Sequence, residues 1–233
     1  MDRAPRLALL AHARGASSGR VRSILSAVDT WQQAAREIGG SFEKESFGRS
    51  AIRYSAGGWE MLLEQGRRTD SAGATLYDIT VLTAPVVNSA GLEFTIYREG
   101  VVERVAKFLD MQEDVQIGDE AFDRRFICKG NDPKRLCEVF SDARLKALML
   151  AAPDFVFALS FLKPDKLDTA LRSFTHQFLP AMASEMEAAI RDKLHCSCKG
   201  VLKDPGAIKG MFEIFEQMLW RLEQLGFASP ASR

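Results

Sequence analysis

The sequence predicts an α+β protein: a mainly antiparallel sheet, read as a strand meander, packed against an N-terminal helix and long C-terminal helices. Three observations carry this. Apolar residues recur at three- and four-residue steps near both ends of the chain. Between about 50 and 98 they recur at every second residue, in short runs separated by glycine. Strands come as a block before the longest helices, unlike the regular alternation of a doubly wound parallel sheet.

The first helix is expected from about Arg20 to Ile38, with Val21, Ile24, Leu25, Val28, Trp31, Ala35 and Ile38 on one face. Gly39-Gly40 ends it. Residues 1–19 are then an N-terminal tail, and 20–233 form a single domain. The apolar patch Leu7 to Ala11 is too short for a secretory signal.

The period then changes to two. Ser50 to Ser55 and Trp59 to Gln65 flank Gly57-Gly58 as strands flank a hairpin turn. Gly66 to Gly73 reads as a polar loop. Leu76 to Thr83 puts Tyr77, Ile79 and Val81 on one face. Leu92 to Arg98 points Leu92, Phe94 and Ile96 inward and Glu93 and Thr95 outward, as the fourth strand of a meander with one wet face. A short helix, Val101 to Leu109, follows, then an acidic turn from Asp114 to Asp119 and an extended stretch Phe122 to Cys128.

Asp132-Pro133 opens a helix carrying Leu136, Val139, Phe140, Leu145 and Leu148, with a break near Ser141. Phe155 to Leu162 is apolar on both faces, as a central strand is; periodicity alone does not separate it from a buried helix. A helical subregion covers about 163–194, kinked or split at Pro180. His195 to Lys199 is a strand. The last helix starts at Asp204-Pro205 and runs to Leu225, with a wide stripe of Ile208, Met211, Phe212, Phe215, Met218, Leu219 and Leu222, Trp220 near its edge, and Gly226 as its stop.

Composition narrows the function classes. Basic and acidic side chains balance at 31 each, which argues against a chain built to coat nucleic acid or sit on anionic lipid. The longest weakly charged run, Ala147 to Leu162, contains Pro153 and Asp154 and falls short of the roughly 20 residues a spanning helix needs. Four cysteines do not make a disulfide scaffold, so the expected location is cytoplasmic. No phosphate-cradling loop, dinucleotide fingerprint or nucleophile elbow is present, and no cofactor is expected.

The stretch Gly118-Asp119-Glu-Ala-Phe122-Asp123-Arg-Arg-Phe126, followed by Gly130-Asn-Asp132, resembles a widespread, functionally uncharacterised bacterial family marked by a GD-x-x-FD-x-x-F box. Trp31, Gly57-Gly58-Trp59, Tyr77, Thr80 and the helix Arg144 to Leu148 extend the likeness over roughly Trp31 to Leu150. The family is defined by shape, so the resemblance implies a fold and no activity. Similar proteins often carry membrane-spanning segments beside the domain, and this sequence departs from them in showing none.

Asp119 and Asp123 offer a general acid–base pair, or with Asp132 three oxygen ligands for a divalent cation. The competing reading gives each carboxylate a turn or a helix start to hold, with Phe122 and Phe126 as core anchors; this reading is preferred. Cys196 and Cys198 would share one face of a strand and His195 the other, a spacing too tight for a zinc pair even with Cys128 and Cys137 nearby. They read as buried thiols. The basic pairs Arg67-Arg68, Arg124-Arg125 and Lys134-Arg135 sit beside acidic residues, as on a solvated surface.

The expectation is therefore a non-catalytic binding or adaptor protein with a protein partner, capable of homo-oligomer formation. Its partner surface is sought on a sheet edge, at Met182 to Ile190, or along the final helix. Two alternatives stand beside it. One is a peripheral, phospholipid-binding module of pleckstrin-like outline, drawing on Arg49, Arg53, Arg67 and Arg68. The other is a metal-dependent hydrolase using Asp119, Asp123 and Asp132.

Overall fold

The computed structural model describes residues 15–44, 50–69, 75–98, 113–152, 157–162 and 192–231. It is an α+β protein. Helix α1 (Gly15–Ile38) starts inside what the sequence reads as tail. It buries Ala27, Trp31, Ala34 and Ala35 and ends at Gly39, whose φ of 76° is a left-handed cap. Trp31 donates its indole N–H to the carbonyl of Leu202 (2.9 Å), which ties α1 to the far end of the chain.

Strands β2 (Ser50–Ala56), β3 (Trp59–Thr69) and β4 (Thr75–Val87) form the first three strands of the expected meander, and β1 (Ser41–Lys44), not expected from the sequence, pairs with β2 at its edge. Gly57 and Gly58, both at positive φ, make the two-residue turn between β2 and β3. Strand β3 continues to Thr69, so the first part of the expected loop is ladder. On β4 the helix-facing side chains are Thr80, Leu82, Ala84 and Val86, and Ile79 and Val81 lie half-buried on the other face.

Beyond β4 the meander expectation fails. Strand β5 (Phe94–Arg98) is not the neighbour of β4. Strands β8 (Phe157–Leu162) and β9 (Lys193–Lys199) stand between them, and β7 (Phe126–Gly130) and β6 (Glu113–Asp114) follow β5 to the other edge. The order is β1-β2-β3-β4-β9-β8-β5-β7-β6, with the two-residue β10 (Ser229–Pro230) on the end of β4, and every pairing is antiparallel. Residues 88–93 must therefore span three strand spacings, about 14 Å. Phe155 to Leu162, ambiguous in sequence, contributes a central strand.

Register aligns one row across the sheet: Ile52, Leu63, Leu82, Cys196, Leu159, Ile96 and Cys128. This is the face the helices cover. Helix α2 (Glu120–Asp123) is a single turn. Helices α3 (Pro133–Phe140) and α4 (Ala143–Ala151) break at Ser141, with Asp142 capping α4 through Leu145 N–H (2.6 Å). Helix α5 (Pro205–Gln224) lays Ile208, Met211, Phe212, Phe215, Met218, Leu219 and Leu222 into the core. Its ring Phe212 meets Tyr54 edge-on at 5.7 Å.

Glu93 and Thr95, expected outward, are buried at 7% and 2% exposure, and Tyr97 on the same face is buried too. Strand β5 is thus covered on both faces, as a strand in the middle of a wide sheet can be. The expected helices at Val101 to Leu109 and about 163–194, with Pro180 and Met182 to Ile190, lie outside the described residues. So do His12, His176 and Arg49. Among the described residues no helix is long and apolar enough to cross a membrane.

Candidate functional site

The acidic box sits where β6, α2, β7 and α4 meet. Gly118 has φ 85° and turns the chain into α2. Asp119 is the cap of α2, accepting from Phe122 N–H (3.2 Å), and its other oxygen pairs with Lys146 of α4. That ammonium, aided by the backbone bond, holds the Asp119 carboxyl below its usual range. Asp123 reaches back and accepts three backbone N–H groups: Ile117 (2.9 Å) and those of Gly118 (2.9 Å) and Asp119 (3.2 Å). The turn is closed from both ends by its own carboxylates.

Under this turn lie the two phenylalanines. Phe122 is fully buried, with ring centroids 4.8 Å from Phe126 and 5.6 Å from Phe140. Arg125 donates to the carbonyl of Leu150 (2.8 Å), a second link from the box to α4.

Asp132 lies apart, at the start of α3. It accepts from Arg135 N–H (3.0 Å) and pairs with the Arg135 guanidinium (3.3 Å). The residues around it clamp the 88–93 arch. Asn131 accepts from Glu93 N–H (2.8 Å) and donates to Gly91 O (2.9 Å), and Arg135 donates to Ala90 O (2.7 Å). At Gly130 a Cβ would stand 2.8 Å from the Glu93 carbonyl and run into Leu136, so only glycine allows this close approach. The glycine–asparagine–aspartate turn is thereby the staple of the arch that lets β8 and β9 enter the sheet.

The structure does not gather the three aspartates around one point. Each is bonded to a turn or helix start, and Asp119 and Asp123 alone are close. Among the described residues no group of three or more His, Cys, Asp or Glu side chains could hold a metal ion. The depression in front of the box, lined by Gln116, Gly118, Glu120, Asp123 and Arg124, is shallow and open. An Asp119 kept ionised by Lys146 has no proton to donate near neutrality, and both Asp123 oxygens are engaged by backbone.

Cys196 and Cys198 do share the helix-facing side of β9, and His195 lies at the alternate register position, half-buried. All four cysteines are free thiols. Burial pushes Cys128 up to about 12 and Cys198 to about 11, and raises Cys196 well above the ordinary thiol range. The thiolates that metal binding or nucleophilic attack needs are therefore disfavoured at these three positions. Cys137 is partly exposed and donates to Gln116 O (3.5 Å).

Of the basic pairs, Arg124 meets Glu120 (3.7 Å), and Arg125 and Arg135 are bonded as above. Of the arginines considered for a lipid headgroup, the side chains of Arg49, Arg67 and Arg68 lie outside the described ones, and Arg53 is paired with Glu43 (2.9 Å).

The feature misjudged from sequence is on α5. Trp220, read as sitting near the edge of the apolar stripe, stands at the centre of the opposite face, 49% exposed. With Val87 it is one of two large apolar side chains exposed among the described residues, whereas Trp31 and Trp59 are buried. A helical projection of residues 205–224 would have placed it there, because Lys209, Glu213 and Glu216 fall on the same arc. Lys146 was the other omission; nothing in the spacing joins it to Asp119, 27 residues earlier.

No family model, curated protein or solved structure matches the chain.

Proposed function

We propose that this is a non-catalytic binding or adaptor protein, acting through protein–protein contacts on the outward face of α5. The observation that carries the reading is Trp220. A tryptophan left half in water on an otherwise well-packed helix forgoes about half of the roughly 1.5–3 kcal/mol that full burial of a large apolar side chain contributes. Tryptophan is also among the residues that most often dominate protein interfaces. In support, the carboxylates and thiols nominated for chemistry are bonded or buried within the fold.

The reading includes membership of the family carrying the GD-x-x-FD-x-x-F box, with the box as a shape-holding element. It includes a cytoplasmic location, supported by the free thiols. The test is site-directed photocrosslinking in the source cell, with benzoylphenylalanine at position 220 and, as control, at exposed Lys134. A discrete polypeptide adduct from position 220, missing from the control, is the expected result. No adduct at 220, or the same adducts at both positions, would end this reading.

A further inference from the structure

The outward face of α5 carries more than an aromatic ring. Glu213 and Glu216 lie seven and four residues before Trp220, and Glu223 three after it, all spacings that fall on one side of a helix. Glu213 and Glu223 are exposed and Glu216 is partly buried. Lys209 is the one cation on this arc, a further turn toward the N-terminus. Three carboxylates against one ammonium leave the face net negative, in a chain whose overall charge is zero.

One of these carboxylates is held in place. Glu223 accepts from the buried indole N–H of Trp59 (3.0 Å), which leaves its other oxygen without that bond. Glu216 stands near Tyr54 of β2, whose hydroxyl is shifted up first by burial and then by this charge. Trp220 is thus an exposed ring bordered by carboxylates, one of which, Glu223, is positioned by the sheet below.

We propose that this face docks a cationic segment of a partner protein, an arginine- or lysine-bearing stretch laid along α5 with a cation over the Trp220 ring. The inference rests on the binding reading and adds the partner's chemistry. The ring attracts a cation through its π face, and carboxylates on both sides of it supply the matching charge. The same charge argues against a second copy of this chain as occupant. Two net-negative α5 faces brought together repel, and the ring of one copy would meet carboxylates of the other.

The test uses the full chain and a defined probe: a fluorescein-labelled, amidated peptide of alternating arginine and glycine, read by anisotropy, with the alternating glutamate–glycine peptide as its opposite. Saturable binding of the arginine peptide alone is expected. It should weaken about five-fold in Trp220→Ala and by a similar factor in the double variant Glu213→Gln, Glu216→Gln. It should weaken further as salt is raised. Circular dichroism of each variant checks that the fold is kept. Failure of the arginine peptide to bind, equal binding of the glutamate peptide, or unchanged affinity in Trp220→Ala overturns the inference. So does concentration-dependent dimerisation that Trp220→Ala abolishes. A crosslink from position 220 to a partner segment without basic residues would overturn it while leaving the binding reading intact.

Discussion

The acidic box and the outer face of α5 use the same materials and arrange them oppositely. Both combine aromatic rings with several carboxylates. In the box the rings are inside, Phe122 at zero exposure, and the carboxylates are turned back onto backbone N–H groups. On α5 the ring is outside, with Glu213 and Glu223 exposed beside it. The difference shows that residue type alone does not separate the two; the hydrogen-bond accounting does. A carboxylate that already holds three N–H groups is part of the fold, and one beside an exposed tryptophan has capacity left for another molecule.

The contrast can be broken most forcefully at Phe122. Phe122→Ala should cost about 3–5 kcal/mol of unfolding free energy, measured by urea titration, because three packed rings lose their centre. A loss under about 1 kcal/mol would mean that the box is not a core anchor.

Asp123→Ala comes next. It strips the acceptor from three backbone N–H groups at once and should cost about 1–3 kcal/mol, some of it recovered by water because the turn is partly exposed. A box built for metal chemistry would show the reverse, with little change in stability.

Asp119 gives a smaller, pH-dependent effect. Its carboxyl is lowered in the folded state, chiefly by Lys146, so the pair stabilises the fold above the unfolded-state value and that contribution is lost as pH falls through the folded one. Thermal melts of Asp119→Asn should therefore lie below wild type at neutrality and converge with it at pH values below about 4. Parallel curves across the whole range would show that the ion pair is not the cause.

The smallest expected effect sharpens the comparison from the other side. Trp220→Ala should cost no more than about 1 kcal/mol, because only the covered half of the ring contributes to the core. Destabilisation as large as that of Phe122→Ala would place Trp220 in the fold's own packing and erase the distinction.

Much of this molecule was legible in the residues alone. Local periodicity and punctuation, such as the apolar faces of α1 and α5, the Gly57-Gly58 turn, and the caps Asp132 and Asp204, act over a few residues and can be read directly. So could the burial of Phe122 and Phe126, read as core anchors. Partnership across the chain was not legible. The β8–β9 insertion between β4 and β5 goes with an arch at residues 88–93 that Asn131 and Arg135 hold, contacts about forty positions away that no local pattern encodes. The burial of Thr95 depends on its neighbours in a wide sheet, and the ionisation of Asp119 on a lysine from another helix. Sequence by itself determined the type of segments such as α1, β2, β3 and α5, because hydrogen bonding and side-chain period within a segment are short-range. Tertiary structure alone decided which strand lies beside which and which carboxylates keep capacity for a partner, because both depend on packing between residues far apart in the chain.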